Sequence, residues 1–198
     1  MSLEFNRRSF LKYSAAAAVA VAGSSLLTGC GEDEYQKTGK IGSTLKLMGT
    51  FKTYKSTDTA NPGKAPAFAP NGSSSDTGTF TCTVNIKCTT KKVPLYVTNE
   101  CFELTVTHTD PGTTRPTEKN YTKNSITIDH EEYDLKESEE AKDFKLTINN
   151  VTIKEGDKVE LKYWPRIQAS SGNSGYTRAF CTWKMTATKN SSNQIILE

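Results

Sequence analysis

From Phe80 to Cys88 apolar and polar residues alternate without a break, with Phe80, Cys82, Val84, Ile86 and Cys88 in one phase and Thr81, Thr83, Asn85 and Lys87 in the other. A period of two over this length is the mark of a strand with one face in a core and one in water. The same phase pattern recurs at Leu45, Leu47, Gly49 and Phe51, at Phe102, Leu104 and Val106, and at Phe144, Leu146 and Ile148. Further along, Val159, Leu161 and Tyr163 share a face, as do Ala179, Cys181, Trp183, Met185 and Ala187. Shorter strands are expected at 93–98, at Ile126 and Ile128, and at 194–197. Cys101 is out of phase with the strand after it, which predicts a bulge or a strand start there. The turn Glu155-Gly156-Asp157 between Ile153 and Val159 predicts a hairpin, and Pro165 stops its second strand. Roughly eight to ten short strands separated by turns predict an all-β, antiparallel β-sandwich with long loops.

Between the strands the pattern fails. Residues 56–79 hold Pro62, Pro66, Pro70 and the run Asn71-Gly72-Ser73-Ser74-Ser75, which reads as a long loop with Phe68 as its plug into the core. Residues 111–121 and 169–175 read as two more loops. The acidic stretch 129–143 reads as a connection with one helical turn at Ser138-Glu139-Glu140-Ala141. Residues 31–43 are polar and aperiodic, a flexible tether. The expected organisation is a cleaved segment at 1–29, a tether at 30–43 and the sandwich at 44–198.

The N-terminal apolar stretch, 13–27, is about fifteen residues long, short of the roughly 20 that a spanning helix needs. It is diluted by alanine, glycine and serine, and behaves as the apolar part of a cleavable signal. In front of it stands Asn6-Arg7-Arg8-Ser9-Phe10-Leu11-Lys12, and Arg7, Arg8, Phe10, Leu11 and Lys12 together resemble the twin-arginine export signal. Behind it, Leu27-Thr28-Gly29-Cys30 resembles the lipobox of bacterial lipoproteins. That resemblance implies cleavage before Cys30 and a diacylglyceryl group on its thiol. Two acyl chains, at about 0.8 kcal/mol per buried methylene, give a stable anchor without any membrane-spanning segment. The expected location is the outer face of the bacterial cytoplasmic membrane or the cell envelope.

Charge narrows the partners. Of 25 basic and 22 acidic residues in 198, the segment 1–29 holds three basic (Arg7, Arg8, Lys12) and one acidic (Glu4), leaving a mature chain near +1. Phosphate recognition needs clustered Lys and Arg, so nucleic acid is excluded as an expected partner. Once Cys30 is set aside, Cys82, Cys88, Cys101 and Cys181 remain, an even number that outside the cytoplasm predicts two disulfides. Cys82 and Cys88 share one strand and stand roughly 20 Å apart at ~3.4 Å per residue, too far to pair. Two connectivities stay open: Cys88–Cys101 with Cys82–Cys181, favoured because it closes the shorter loop, or Cys82–Cys101 with Cys88–Cys181. Four buried thiols are the alternative, because twin-arginine cargo folds in the reducing cytoplasm.

The segment Leu146-Thr147-Ile148-Asn149-Asn150-Val151-Thr152 resembles the E-strand of immunoglobulin-like domains. The resemblance implies an immunoglobulin-like sandwich and transfers no site residues. No tryptophan follows the Cys82 strand where that family has one, and 159–164 holds no cysteine.

Candidate chemistry is sparse. The chain has two histidines, His108 and His130, and no Gly-x-Ser-x-Gly elbow. Cys181 and Met185 have a copper-loop spacing without the histidine such a site requires. Asp129-His130-Glu131-Glu132-Tyr133-Asp134 is rich in oxygen ligands but fits no calcium loop, and a solvated turn explains it. Glu131 or Asp134 would serve a hydrolase only with a second carboxylate across a pocket. Trp164, with Tyr163 and Arg166 at a strand end, is the candidate binding anchor. The expected function is a lipid-anchored, non-catalytic binding or interaction module, cofactor-free, with a protein or glycan partner. The alternative is a small-ligand or metal-binding lipoprotein that serves a transporter or redox partner.

Overall fold

The computed structural model describes residues 36–51, 54–62, 66–72, 75–89, 94–110, 112–136, 140–168, 174–176 and 180–198. Among them are sixteen strands and one 3-10 turn, with no α-helix. No described helix is long and apolar enough to cross a membrane.

The first strand, β1 (Gln36–Lys40), is followed by β2 (Leu45–Phe51), β3 (Tyr54–Pro62), β4 (Ala67–Pro70) and β5 (Thr77–Cys88). Next come β6 (Leu95–Val97), β7 (Phe102–His108), β8 (Thr117–Tyr121), β9 (Ile126–Ile128), β10 (Glu132–Leu135) and β11 (Lys142–Thr152). The chain ends with β12 (Lys158–Tyr163), β13 (Arg166–Gln168), β14 (Ser174–Tyr176), β15 (Phe180–Lys189) and β16 (Ile195–Leu197). One sheet has the order β2-β3-β5-β11-β9, with β4 also on β5; the second has β1-β15-β12-β7-β8, with β16 on β15. A smaller sheet runs β10-β6-β13-β14. The inward residues of the two large sheets, such as Phe80, Val84, Ile86, Phe144 and Leu146 on one and Leu104, Val159, Leu161 and Trp183 on the other, form a single buried cluster. The protein is an all-β sandwich, as its alternation predicts.

β5 makes the connection from sequence to packing plain. Its burial alternates over all twelve residues from Thr77 to Cys88, with the threonines outward and the apolar residues inward. β-branched threonine suits the solvent face of a strand, because its restricted side chain fits the pleat at little entropic cost. Gly78 has a different reason. A Cβ there would lie 2.2 Å from the carbonyl oxygen of Ala69, so the glycine is what lets β4 lie against β5.

Several expectations are corrected. Residues 30–35 of the tether expected at 30–43 lie outside the described residues, and the remainder contains Gln36–Lys40, which is a strand that pairs in parallel with Phe180 to Lys184. Its backbone ladder, not apolar side chains, holds it. The loop expected at 56–79 contains β3 and β4, both paired to β5. Pro62 and Pro70 close these strands at their last residues, where the missing N–H breaks no ladder, so proline here marks strand ends within a sheet. Phe68 is the plug it was expected to be, 9% exposed and opposite Phe80. Part of the loop expected at 111–121 is β8, which pairs with β7. Within 129–143 the chain makes β10 and then starts β11, and Glu140 lies in a bend; Ser138 and Glu139 of the expected helical turn lie outside the described residues.

The hairpin expected around Glu155-Gly156-Asp157 is an arch. β11 pairs with β5 and β9, whereas β12 pairs with β7 and β15, so the turn carries the chain from one sheet to the other. Alternation looks the same in both cases, because each strand still points its apolar face into the shared core.

The four cysteines are corrected as well. Cys82, Cys88, Cys101 and Cys181 are buried thiols, and none is joined in a disulfide. Burial pushes the Cys82 thiol up to about 12 and the Cys101 thiol to about 11, and raises that of Cys181 further. A thiol that cannot ionise reacts slowly. Alkylation of the native protein is expected to label none of these four, and alkylation after unfolding to label all four; rapid native labelling would contradict their burial.

Candidate functional site

One end of the sandwich gathers the start of β5, the arch from β11 to β12, and the ends of β7 and β15, as the antiparallel registers require. His108, the last residue of β7, sits there between two carboxylates. Its Nδ1 lies 2.5 Å from Asp157 Oδ1 and its Nε2 lies 2.7 Å from Asp110 Oδ1. A ring with a carboxylate at each nitrogen is an imidazolium that donates to both. The Asp157 hydrogen bond first, and then that of Asp110, holds the His108 pKa above its ordinary value.

Asp157 is the anchor of the group. It is 2% exposed, and its second oxygen accepts the Lys154 backbone N–H at 2.8 Å. Its own N–H donates to the Lys154 carbonyl, and its carbonyl accepts from the Ala187 N–H at 2.9 Å. Gly156, with φ of 88°, supplies the left-handed residue that the arch needs. One buried residue thus ties β7, through its side chain, and β15, through its backbone carbonyl, to the crossing between sheets. Two clefts open beside it and share His108 and Lys154. The larger, about 670 Å3, lies toward Phe68 and Ile195; the smaller, about 320 Å3, lies toward Val106 and Thr117.

The residues singled out from sequence lie elsewhere. Tyr163 is fully buried, its ring tilted against Phe102 at 5.3 Å, so it is a core residue and not a binding anchor. Trp164 is half-buried; its backbone N–H donates to the Cys101 carbonyl, its ring packs on Phe180 at 5.5 Å, and Lys162 Nζ stands 5.7 Å from it. Arg166 is ion-paired with Glu100 and lies 5.3 Å over the Tyr96 ring. Cys181 and Met185 both face the core, at 0% and 3% exposure.

In the acidic segment, Asp129 Oδ1 accepts from the backbone N–H groups of His130 and Lys145 and meets His130 Nδ1 at 2.9 Å. The His130 ring stacks on Phe144 at 4.8 Å, Glu132 is paired with Lys142, and Asp134 with Lys136. These contacts engage Asp129 Oδ1, Asp134 Oδ2 and both oxygens of Glu132 within the segment. Among the described residues no group of three or more His, Cys, Asp or Glu side chains could hold a metal ion. Cys30, Arg7, Arg8, Phe10, Leu11 and Lys12 lie outside the described residues.

Sequence reading noted His108 but not its partners. Asp157 and His108 are 49 positions apart, and an aspartate after Glu-Gly resembles any turn residue. The available signal was an acidic residue just before a strand whose second residue, Val159, is apolar.

Residues 4–24 match the family described as TAT (twin-arginine translocation) pathway signal sequence. This is a protein exported across the cytoplasmic membrane, with an all-β body. No curated protein and no solved structure matches this chain.

Proposed function

We propose that this protein is a lipid-anchored binding module of the cell envelope, held to the outer side of the membrane through Cys30 and without catalytic activity. The observation that carries the non-catalytic reading is the double engagement of His108, which leaves neither ring nitrogen for a nucleophile or a water. The thiols favour the same reading, since buried cysteines with raised pKa values make poor nucleophiles. The anchor rests on Leu27-Thr28-Gly29-Cys30, which begins three residues beyond the matched export signal.

The body is best read as immunoglobulin-like. β3-β5-β11-β9 follows the order A-B-E-D, and β15-β12-β7 follows G-F-C, with β8 in the C′ place. The Leu146 to Thr152 segment that resembles an E-strand lies in β11, the E position in that order. Folds of this kind present loops at two ends and host recognition more often than chemistry.

Replacing Cys30 with serine tests the anchor. The wild-type chain is expected to incorporate radiolabelled palmitate and to sediment with membranes, and the variant to do neither. A variant that still sediments and still carries label would refute attachment at this residue.

A further inference from the structure

We propose that the larger cleft at the His108 end of the sandwich is a binding site for neutral saccharide chains. The proposal deepens the binding-module reading and rests on it.

The first support is that the walls are pre-formed. Asn190 braces the turn between β15 and β16: its Oδ1 accepts the Ser192 and Gln194 N–H groups, both at 2.9 Å, and its carbonyl accepts from Asn193. Asn193 sits at φ of 60°, a conformation that asparagine tolerates better than most residues. On the opposite wall, Ser75 Oγ donates to the Thr77 carbonyl and accepts the Thr77 N–H, and the Asp76 carbonyl accepts from Ile153. With Asp157 bonded to the arch behind them, the described residues of these turns carry hydrogen bonds of their own that do not depend on a ligand. A pre-organised site keeps affinity that an ordering loop would spend on itself.

The second support is charge. Lys154, Lys189 and His108 line the cleft against Asp76 and Glu155, and Asp157 stands directly behind His108. Lys189 Nζ is also 3.4 Å from Glu155 Oε2. Asp110 holds the other ring nitrogen of His108, so acidic and basic groups interleave along the cleft with no run of either sign, which suits neither a phosphate-bearing ligand nor a polycation.

The third is the mix of surfaces. Pro70 is exposed and Ile195 half-exposed, giving small apolar patches, whereas Phe68 keeps only 9% of its surface open and offers no deep pocket for a peptide side chain. Around these patches stand a carboxylate on Asp76 and carboxamides on Asn193 and Gln194, which can accept and donate to hydroxyl groups. A volume of about 670 Å3 lies in the range of small-ligand sites and holds a short stretch of sugar chain.

The test uses the full lipidated chain in detergent micelles on a microarray of neutral β-glucan, xylan, mannan and chitin oligomers. Saturable binding to at least one class is expected. The variants Asn193→Gly, which keeps the left-handed turn while removing the carboxamide, and Asp76→Ala are each expected to weaken it roughly tenfold. Their thermal midpoints should match the wild type. Failure to bind any neutral oligomer overturns the proposal, as does binding that both variants leave intact. A reducing-end assay on the bound oligomers separates the two claims: release of new ends would sink the non-catalytic reading while keeping the site, and binding confined to protein ligands would sink the site while keeping the module.

Discussion

Replacing Trp183 with alanine is expected to cost about 3–5 kcal/mol of folding free energy, the usual penalty for emptying a buried aromatic site. Trp183 is fully buried on β15, heads the largest side chains of the core, and donates its Nε1–H to the Ser43 carbonyl at 2.9 Å. Its removal therefore leaves a cavity and strands a carbonyl just after β1. Domains of this size are usually stable by about 5–15 kcal/mol, so the variant should lie close to unfolding. Its thermal midpoint should fall by roughly 10 °C. Trp183→Phe keeps most of the volume and loses the donor, and should cost nearer 1–2 kcal/mol. Denaturant titration of the three proteins measures both terms; an alanine variant within about 1 kcal/mol of wild type would contradict the packing described above.

Asp157→Ala should have the second-largest effect, about 2–4 kcal/mol, because it frees the Lys154 N–H and the His108 ring from a partner that is itself buried. It should also change how stability depends on pH. The folded-state pKa of His108 is raised above its ordinary 6.5, so the imidazolium stabilises the fold fully below that value, and the stabilisation is lost as pH rises through the folded-state pKa. Wild-type stability should accordingly decline on the alkaline side of 6.5. In Asp157→Ala and in His108→Gln that decline should shrink, while Asp110→Asn should reduce it less, since Asp110 gives the smaller of the two contributions. Thermal midpoints from pH 5 to pH 9 decide this, and a profile of the same shape in wild type and His108→Gln would show that the ring holds no proton between the carboxylates.

How much could be read in advance follows from which forces hold each element. β5, β7, β11, β12 and β15 are central strands, and their inward residues carry a period of two that burial imposes directly. β1, β3 and β8 are different. Gln36–Lys40, Tyr54–Pro62 and Thr117–Tyr121 are polar or proline-bearing, and what fixes them is backbone pairing to a strand already in place. Such partners leave no local trace. The arch at Asp157 was hidden because turn residues do not say whether the next strand stays in its own sheet. The Asp110–His108–Asp157 group was hidden because it depends on that arch. Tyr163 was misread as a binding residue because it adjoins Trp164, although its phase with Val159 and Leu161 points it into the core. Cys82, Cys88 and Cys181 followed the same logic: their inward phase was legible, but not whether any two cysteines would meet, and Cys101 stood out of phase with the strand after it.

The parallel pairing of β1 with β15 bears on how the chain passes quality control. The strand nearest the export signal in sequence takes its partner from residues 180–184, so it can pair only once that distant stretch of chain has been made. A chain cut short before β15 would leave the β1 backbone without its ladder, a state that a folded cargo must have passed before it crosses the membrane.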